Sequence, residues 1–200
     1  MLDCFLDPLY YQFIRLALIE VIIVGVVAGF LGTFVVMRGM AFMGDAISHA
    51  VFPGVVIAFL LKVNLFLGGA AFGLLTAVAI SGLSLTRRIK EDTAIGVLFA
   101  GAFALGVVLI STADNYTGDL NSFLFGDILS VTWTDIWLSV AFGGLSFTLA
   151  FLLRRVLVLI SFDREMALSM GLPVFKLETL LLLLVTLTIV MSLRAVGNIL

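Results

Sequence analysis

Six apolar stretches, each close to a bilayer's thickness in helical length, follow one another, separated by charge or turn residues. That pattern leaves few folds open. The stretches are 16–37, 40–61, 65–85, 94–112, 136–153 and a last one that begins near Leu177. At ~1.5 Å of rise per residue, each suffices or nearly suffices to cross a hydrocarbon core of about 30 Å. In lipid the backbone must satisfy its own polar groups, so each stretch is expected as a helix. Composition agrees: 62% of the residues are hydrophobic and 12% charged, against roughly 45–50% and about 25% in soluble domains. The expected fold is an all-α polytopic membrane protein, a bundle of about six transmembrane helices forming one domain over residues 1–200.

Several function classes fall away at once. The 11 Lys and Arg residues mostly flank apolar runs, which excludes nucleic-acid binding as a main activity. Cys4 is alone, so it forms no internal disulfide and no Cys-x-x-Cys metal site. Asp3 and Asp7 stand where a signal peptide would be basic, and residues 1–15, with Tyr10 and Tyr11, read as a short interfacial segment. Eight of the 11 basic residues (Arg38, Arg87, Arg88, Lys90, Arg154, Arg155, Arg164 and Lys176) fall on one side of an alternating topology. By the positive-inside rule that side is cytoplasmic. The N-terminus is then outside, as is the acidic 113–135 stretch with Asp114, Asp119, Asp127 and Asp135. Arg194, in or near the outer end of the last span, could neutralise an acid or anchor to headgroups. Small residues four apart (Gly25/Gly29, Ala28/Gly32, Gly69/Gly73, Ala102/Gly106) are expected to let helices approach closely.

The second stretch carries ionisable groups. Asp45 and His49 are four residues apart, so their side chains share one helical face. A carboxylate oxygen and a neutral imidazole nitrogen there can hold one divalent cation. The same pair could relay protons, or simply lock two helices together. Two ligands do not complete a metal site, and others would come from other helices. Pro53-Gly54 loosens this helix and frees carbonyls near the pair. Glu20 also lies in an apolar stretch, about one turn from its outer boundary, where snorkelling or pairing with Arg15 accounts for it better than ligation.

Residues 162–173 form the other feature. Asp163 and Glu165 open a short amphipathic helix, Gly171 stops it, and Pro173 follows. Met166, Ala167, Leu168 and Met170 give it an apolar side that lipid could cover, so by itself it could be an interfacial connector.

The run from Gly44 to Gly54 (Gly-Asp-Ala-Ile-Ser-His-Ala-Val-Phe-Pro-Gly) resembles the signature of the manganese/zinc/iron-type ABC transporter permeases. The likeness continues through residues 91–96, 125–129 and 167–173, in family order, and covers most of positions 10–200. It implies the permease subunit of an importer of divalent transition metal in the bacterial cytoplasmic membrane. It implies cytosolic ABC ATPase subunits that use the ATP, a second copy of the permease or a homologue, and an extracytoplasmic metal-binding protein. Carried over by position, Asp45 and His49 match the family's intramembrane metal ligands. Asp163, Glu165, Ala167, Gly171 and Pro173 match the coupling helix that docks on the ATPase. The Ser-His-Ala-Val-x-Pro-Gly form is similar to manganese and iron members, which favours manganese over zinc. The family usually has about two further helices beyond a motif like Val196-Gly197, so the chain reads as C-terminally truncated.

No Gly-x-x-x-x-Gly-Lys-Ser/Thr loop is present, so the chain is expected to be no enzyme and to borrow its ATPase. No cofactor is expected beyond the transported metal itself. The competing function is a proton- or ion-coupled secondary metal carrier, which leaves 162–173 without a role. An intramembrane hydrolase would need a His-Glu-x-x-His helix or a placed nucleophile, and neither is present.

Overall fold

The computed structural model describes residues 10–40, 42–84, 91–111 and 131–196, and every regular element among them is helical. In chain order these are α1 (Gln12–Met37), α2 (Met43–Leu60), α3 (Leu65–Ser84), α4 (Glu91–Ile110), α5 (Trp133–Leu152), α6 (Arg154–Phe162), α7 (Arg164–Ser169) and α8 (Val174–Val196). Six of them, α1 to α5 and α8, are long and apolar enough to cross a membrane. Four begin a few residues before their apolar stretch. In α5 the added turn holds Asp135, which first-turn N–H groups favour, and in α1 and α8 it holds the basic Arg15 and Lys176; a reading by hydropathy trims such residues away.

One helix was not expected. Residues 154–162 form α6, which buries Leu157 and Ile160 and exposes Arg154 and Arg155. Tyr10 and Tyr11 are exposed, as an interfacial segment requires. Residues 1–9 with Cys4, the basic Arg87, Arg88 and Lys90, the acidic Asp114, Asp119 and Asp127, and the 125–129 motif lie outside the described residues. So does the side chain of Arg194. Asp135 departs from the expectation of a solvated acidic stretch: it is buried, and its Oδ2 accepts hydrogen bonds from Thr132 N (2.9 Å) and Thr132 Oγ1 (2.6 Å). As the third residue of α5 it closes a capping box with the N-cap Thr132, at a helix start that favours a carboxylate.

The spans form two groups joined by the last helix. α2 packs on α3 and α4, α1 packs on α5, and α8 runs between them, touching α1, α2, α3 and α5. α2 and α8 are therefore the most buried spans and α4 the least. Leu31, Ile47, Val55, Ile80, Ile95 and Leu181 belong to the shared core. The α1–α2 turn is held to the bundle by one buried residue, Met40, with Gly39 and Phe42 on either side exposed. Gly39 takes a left-handed φ of 73°, Met40 N bonds back to Val35 O at 3.0 Å, and the Met40 side chain is buried. A side chain at position 39 would be strained in that backbone.

Close helix contacts occur where small residues face each other across helices. A Cβ at Gly54 of α2 would strike the backbone of Gly68 in α3, and a Cβ at Gly68 would strike that of Gly54. Gly73 abuts Val51 and Thr186, and Gly106 abuts the Phe52 ring. Gly25, Gly29 and Gly32 of α1, by contrast, have no atom within 4 Å of where a Cβ would sit, so the expected α1 pairs make no close contact. Spacing on one helix marks a face, not the neighbour that meets it. Gly54→Ala should therefore cost about 1–3 kcal/mol by overpacking against a backbone that cannot yield. Gly25→Ala should cost nothing. Thermal aggregation followed by size-exclusion chromatography checks both, and equal melting of the two variants would refute the Gly54–Gly68 contact.

Candidate functional site

Asp45 lies in the first turn of α2 and His49 one turn later. The expected stacking is present: His49 Nε2 stands 3.5 Å from Asp45 Oδ1. At ~1.5 Å per residue the two lie only about 3 and 9 Å from the helix start, so the pair sits toward one end of the span rather than its middle. The buried Met40 side chain before α2 ties that end to the core.

The two side chains differ in surroundings. His49 wedges between α2 and α4, its ring centroid 5.4 Å from that of Phe99 and 5.5 Å from that of Phe103. Its Nδ1 is buried with no hydrogen-bond partner among the described residues. The Asp45 side chain is 59% exposed, on a helix otherwise mostly buried. Two rings orient the imidazole, while the carboxylate opens to the bundle surface. Pro53 adds a further oxygen nearby: it has no N–H to give the carbonyl of His49, four residues back. Among the described residues no three or more His, Cys, Asp or Glu side chains gather so as to hold a metal ion. Among these residues Asp45 and His49 are the pair brought within reach of one another.

The 162–173 segment folds as read. Asp163 caps α7 by accepting from Met166 N at 2.8 Å, and Gly171 has a φ of 75° with Leu172 N bonded to Ala167 O at 3.2 Å. Asp163, Glu165, Gly171 and Pro173 are exposed, together with Met166, Leu168 and Met170. Ala167 differs from the rest: it is fully buried with Ile160 of α6 and Val174 of α8, so it anchors α7 rather than lining its outer face.

Glu178, which the sequence reading passed over, fixes α7 from beneath. Its carboxylate meets Arg164 Nε at 2.9 Å, Arg164 Nη2 at 3.3 Å and Arg38 Nη2 at 3.0 Å. The Glu178 and Arg38 side chains are buried, and that of Arg164 is 39% exposed. Arg38 was read as one of the basic residues flanking the spans on the cytoplasmic side. Instead it is paired inside the protein at the C-cap of α1, directly before the turn into α2. One carboxylate thus joins α1, α7 and α8. Only an acid one turn into the last span hinted at this.

Glu20 also departs from expectation. It neither snorkels nor pairs with Arg15: it is 2% exposed and accepts a hydrogen bond from Ser139 Oγ of α5. An isolated acid in a span is costly unless partnered, and here the partner is 119 residues away.

Six helices long and apolar enough to cross a bilayer define a multi-pass integral membrane protein. Residues 10–200 match the ABC 3 transport family, and the chain belongs to that family of permease subunits, which places it in the bacterial inner membrane. It is 44% identical over its whole length to "Manganese transport system membrane protein MntC" of Halalkalibacterium halodurans, spanning 68% of that protein. It is 41% identical to "Chelated iron transport system membrane protein YfeD" of Yersinia pestis, over 97% of this chain and 65% of the relative. Among solved structures it resembles PsaBC from Streptococcus pneumoniae in complex with Fab, with a TM-score of 0.81 and 42% identity over all of this chain and 72% of that one.

Proposed function

We propose that this chain is the membrane-spanning subunit of an ATP-driven importer of a divalent transition metal, manganese before iron or zinc. The exposed carboxylate of Asp45, held 3.5 Å from an imidazole on a buried span, carries the reading. An oxygen and a nitrogen donor suit a first-row dication. A packing lock would bury both partners. Asp45 is instead open at the bundle surface, where a second copy of the chain or a homologue can complete the ligand set. The names of the relatives, manganese transport and chelated iron transport, support the choice of cargo.

The end that carries α6 and α7 then faces the cytoplasm, in keeping with Arg154, Arg155, Arg164 and Lys176 gathered there. α7, over residues 162–173, docks on a cytosolic ABC ATPase through its exposed Asp163, Glu165, Gly171 and Pro173 and the apolar side chains beside them. Ala167 seats the helix. Glu178 links α7 through Arg38 to the turn before Asp45, so a displacement of α7 reaches the metal site. An extracytoplasmic metal-binding protein delivers the cation at the opposite face.

The test is uptake of radioactive manganese into vesicles containing the permease and its ATPase. Uptake should require ATP and should persist when the proton gradient is collapsed. Uptake that ignores ATP and stops with the gradient would instead identify a secondary carrier.

A further inference from the structure

The imidazole of His49 lacks the support that a metal-ligating histidine ordinarily has. Such a ring is usually fixed by a hydrogen bond from its second nitrogen to a carboxylate, a carbonyl or water. Here Nδ1 is buried with no hydrogen-bond partner among the described residues, while Nε2 faces Asp45 Oδ1 at 3.5 Å. An imidazole free to turn about its bond to Cβ would present that nitrogen only part of the time. Its orientation therefore rests on packing.

Phenylalanines supply the packing. Phe99 and Phe103 are four residues apart and so share one face of α4. Their rings stack with 6.3 Å between centroids, and both meet the imidazole, Phe99 at a tilt of 59° and Phe103 nearly edge-on at 83°. Two rings set at different angles hinder rotation that either alone would allow. Each is braced from α2 in turn. Phe42, the N-cap of that helix, meets Phe99 edge to face at 5.8 Å, and Phe52 meets Phe103 at 5.9 Å. Gly106 lies against the Phe52 ring, where a Cβ would collide with it, and this close approach fixes the height of α4 on α2.

We infer that Phe99 and Phe103 are positioning residues that decide which cations the Asp45–His49 pair accepts, by keeping Nε2 of His49 in the site. This rests on the reading of that pair as a metal site. Without a fixed nitrogen, Asp45 and water make an all-oxygen site, which suits calcium and magnesium as well as manganese. With it, the site favours transition metals, for which imidazole is a preferred ligand. The rings act through the imidazole and not on the cation.

The test uses the detergent-purified permease with its ATPase, and Mn²⁺ alone as the probe. Pulsed paramagnetic resonance of bound Mn²⁺ reads coupling to a ligand nitrogen. The unaltered protein should show that coupling and His49→Ala should lack it. Phe103→Leu keeps an apolar side chain but no ring, and should lose most of the nitrogen coupling. Its affinity for Mn²⁺ should fall by about tenfold, as when a ligand's supporting contact is removed. Affinity for Ca²⁺, read by displacement of Mn²⁺, should stay as it was, so the preference between the two shrinks. Phe99→Leu should act in the same direction. Phe103→Tyr restores a ring at a position 41% exposed, where the added hydroxyl has room, and should recover both coupling and preference. Rings that only fill space predict a lower yield in the Leu variants, with nitrogen coupling and metal preference unchanged in the protein that folds. That result would overturn the inference, as would equal weakening of Mn²⁺ and Ca²⁺. Absence of nitrogen coupling in the unaltered protein would instead remove His49 from the metal site, and this inference with it.

Discussion

Asp45→Asn and His49→Ala are each expected to reduce metal uptake to background while leaving the permease inserted and bound to its ATPase. Asn keeps the shape of Asp45 and removes its charge, so a dication at this position meets less compensating charge in a medium of low dielectric. Ala at His49 removes the nitrogen donor that transition metals favour. Loss of a direct ligand should weaken binding by more than the 10–100-fold commonly seen when only a ligand's supporting contact is lost. The two variants separate the readings because the side chains differ in burial. Asp45 is 59% exposed, and an ion pair that open contributes about 0–1 kcal/mol to stability, so Asp45→Asn should yield normal amounts of folded protein. His49→Ala opens a space beside Phe99 and Phe103, and some loss of yield is expected there. The measurement is radioactive manganese uptake per folded transporter, set beside the extraction yield. A packing lock predicts that yield falls and uptake per folded molecule does not. A proton relay predicts that His49→Asp retains transport. Full uptake in His49→Ala would take His49 out of the metal path.

The sequence reached the spans and the Asp45–His49 contact for the same physical reason: both are local. A bilayer demands about 20 apolar residues in a row, and four residues on a helix bring two side chains together, whatever the rest of the chain does. The cap, stop and following proline of α7 are local as well, and Asp163, Gly171 and Pro173 fall where they were expected. Apart from the missed α6 and the trimmed helix starts, the failures are tertiary. Glu20 and Ser139 are 119 residues apart, and nothing in either helix names the other. Arg38 reads as a flanking charge until α8 brings Glu178 against it. Gly54 and Gly68 stand on different helices, while the glycine spacing in α1, plainer on the page, faces open space. Function was legible mainly through resemblance, since an Asp–His pair alone leaves metal, packing and proton roles open.

Arg164→Gln is expected to uncouple ATP hydrolysis from metal import, and Glu178→Gln to do the same with a loss of folded protein added. Glu178 is buried and shared by two guanidinium groups, one of them on the buried Arg38. Neutralising it leaves positive charge inside the protein with less to oppose it, a change that typically costs about 3–5 kcal/mol. Arg164 is 39% exposed, so water replaces much of what its ion pair supplies, and Arg164→Gln should cost only about 1 kcal/mol or less. That makes Arg164 the informative position. In the variant α7 is still capped by Asp163 and still seated by Ala167, and it should still meet the ATPase. What it loses is the tie to Glu178 and, through Arg38, to the turn that starts the Asp45 helix. The number of ATP molecules hydrolysed per manganese ion imported should then rise several-fold. A contact that only held the fold together would lower the quantity of active transporter and leave that ratio alone. Glu178→Asp, which keeps the charge on a shorter arm, should recover part of the coupling. A normal ratio in Arg164→Gln would show that α7 drives the permease by another route, because proximity along a chain of contacts becomes coupling only when breaking it changes the energetics at the far end.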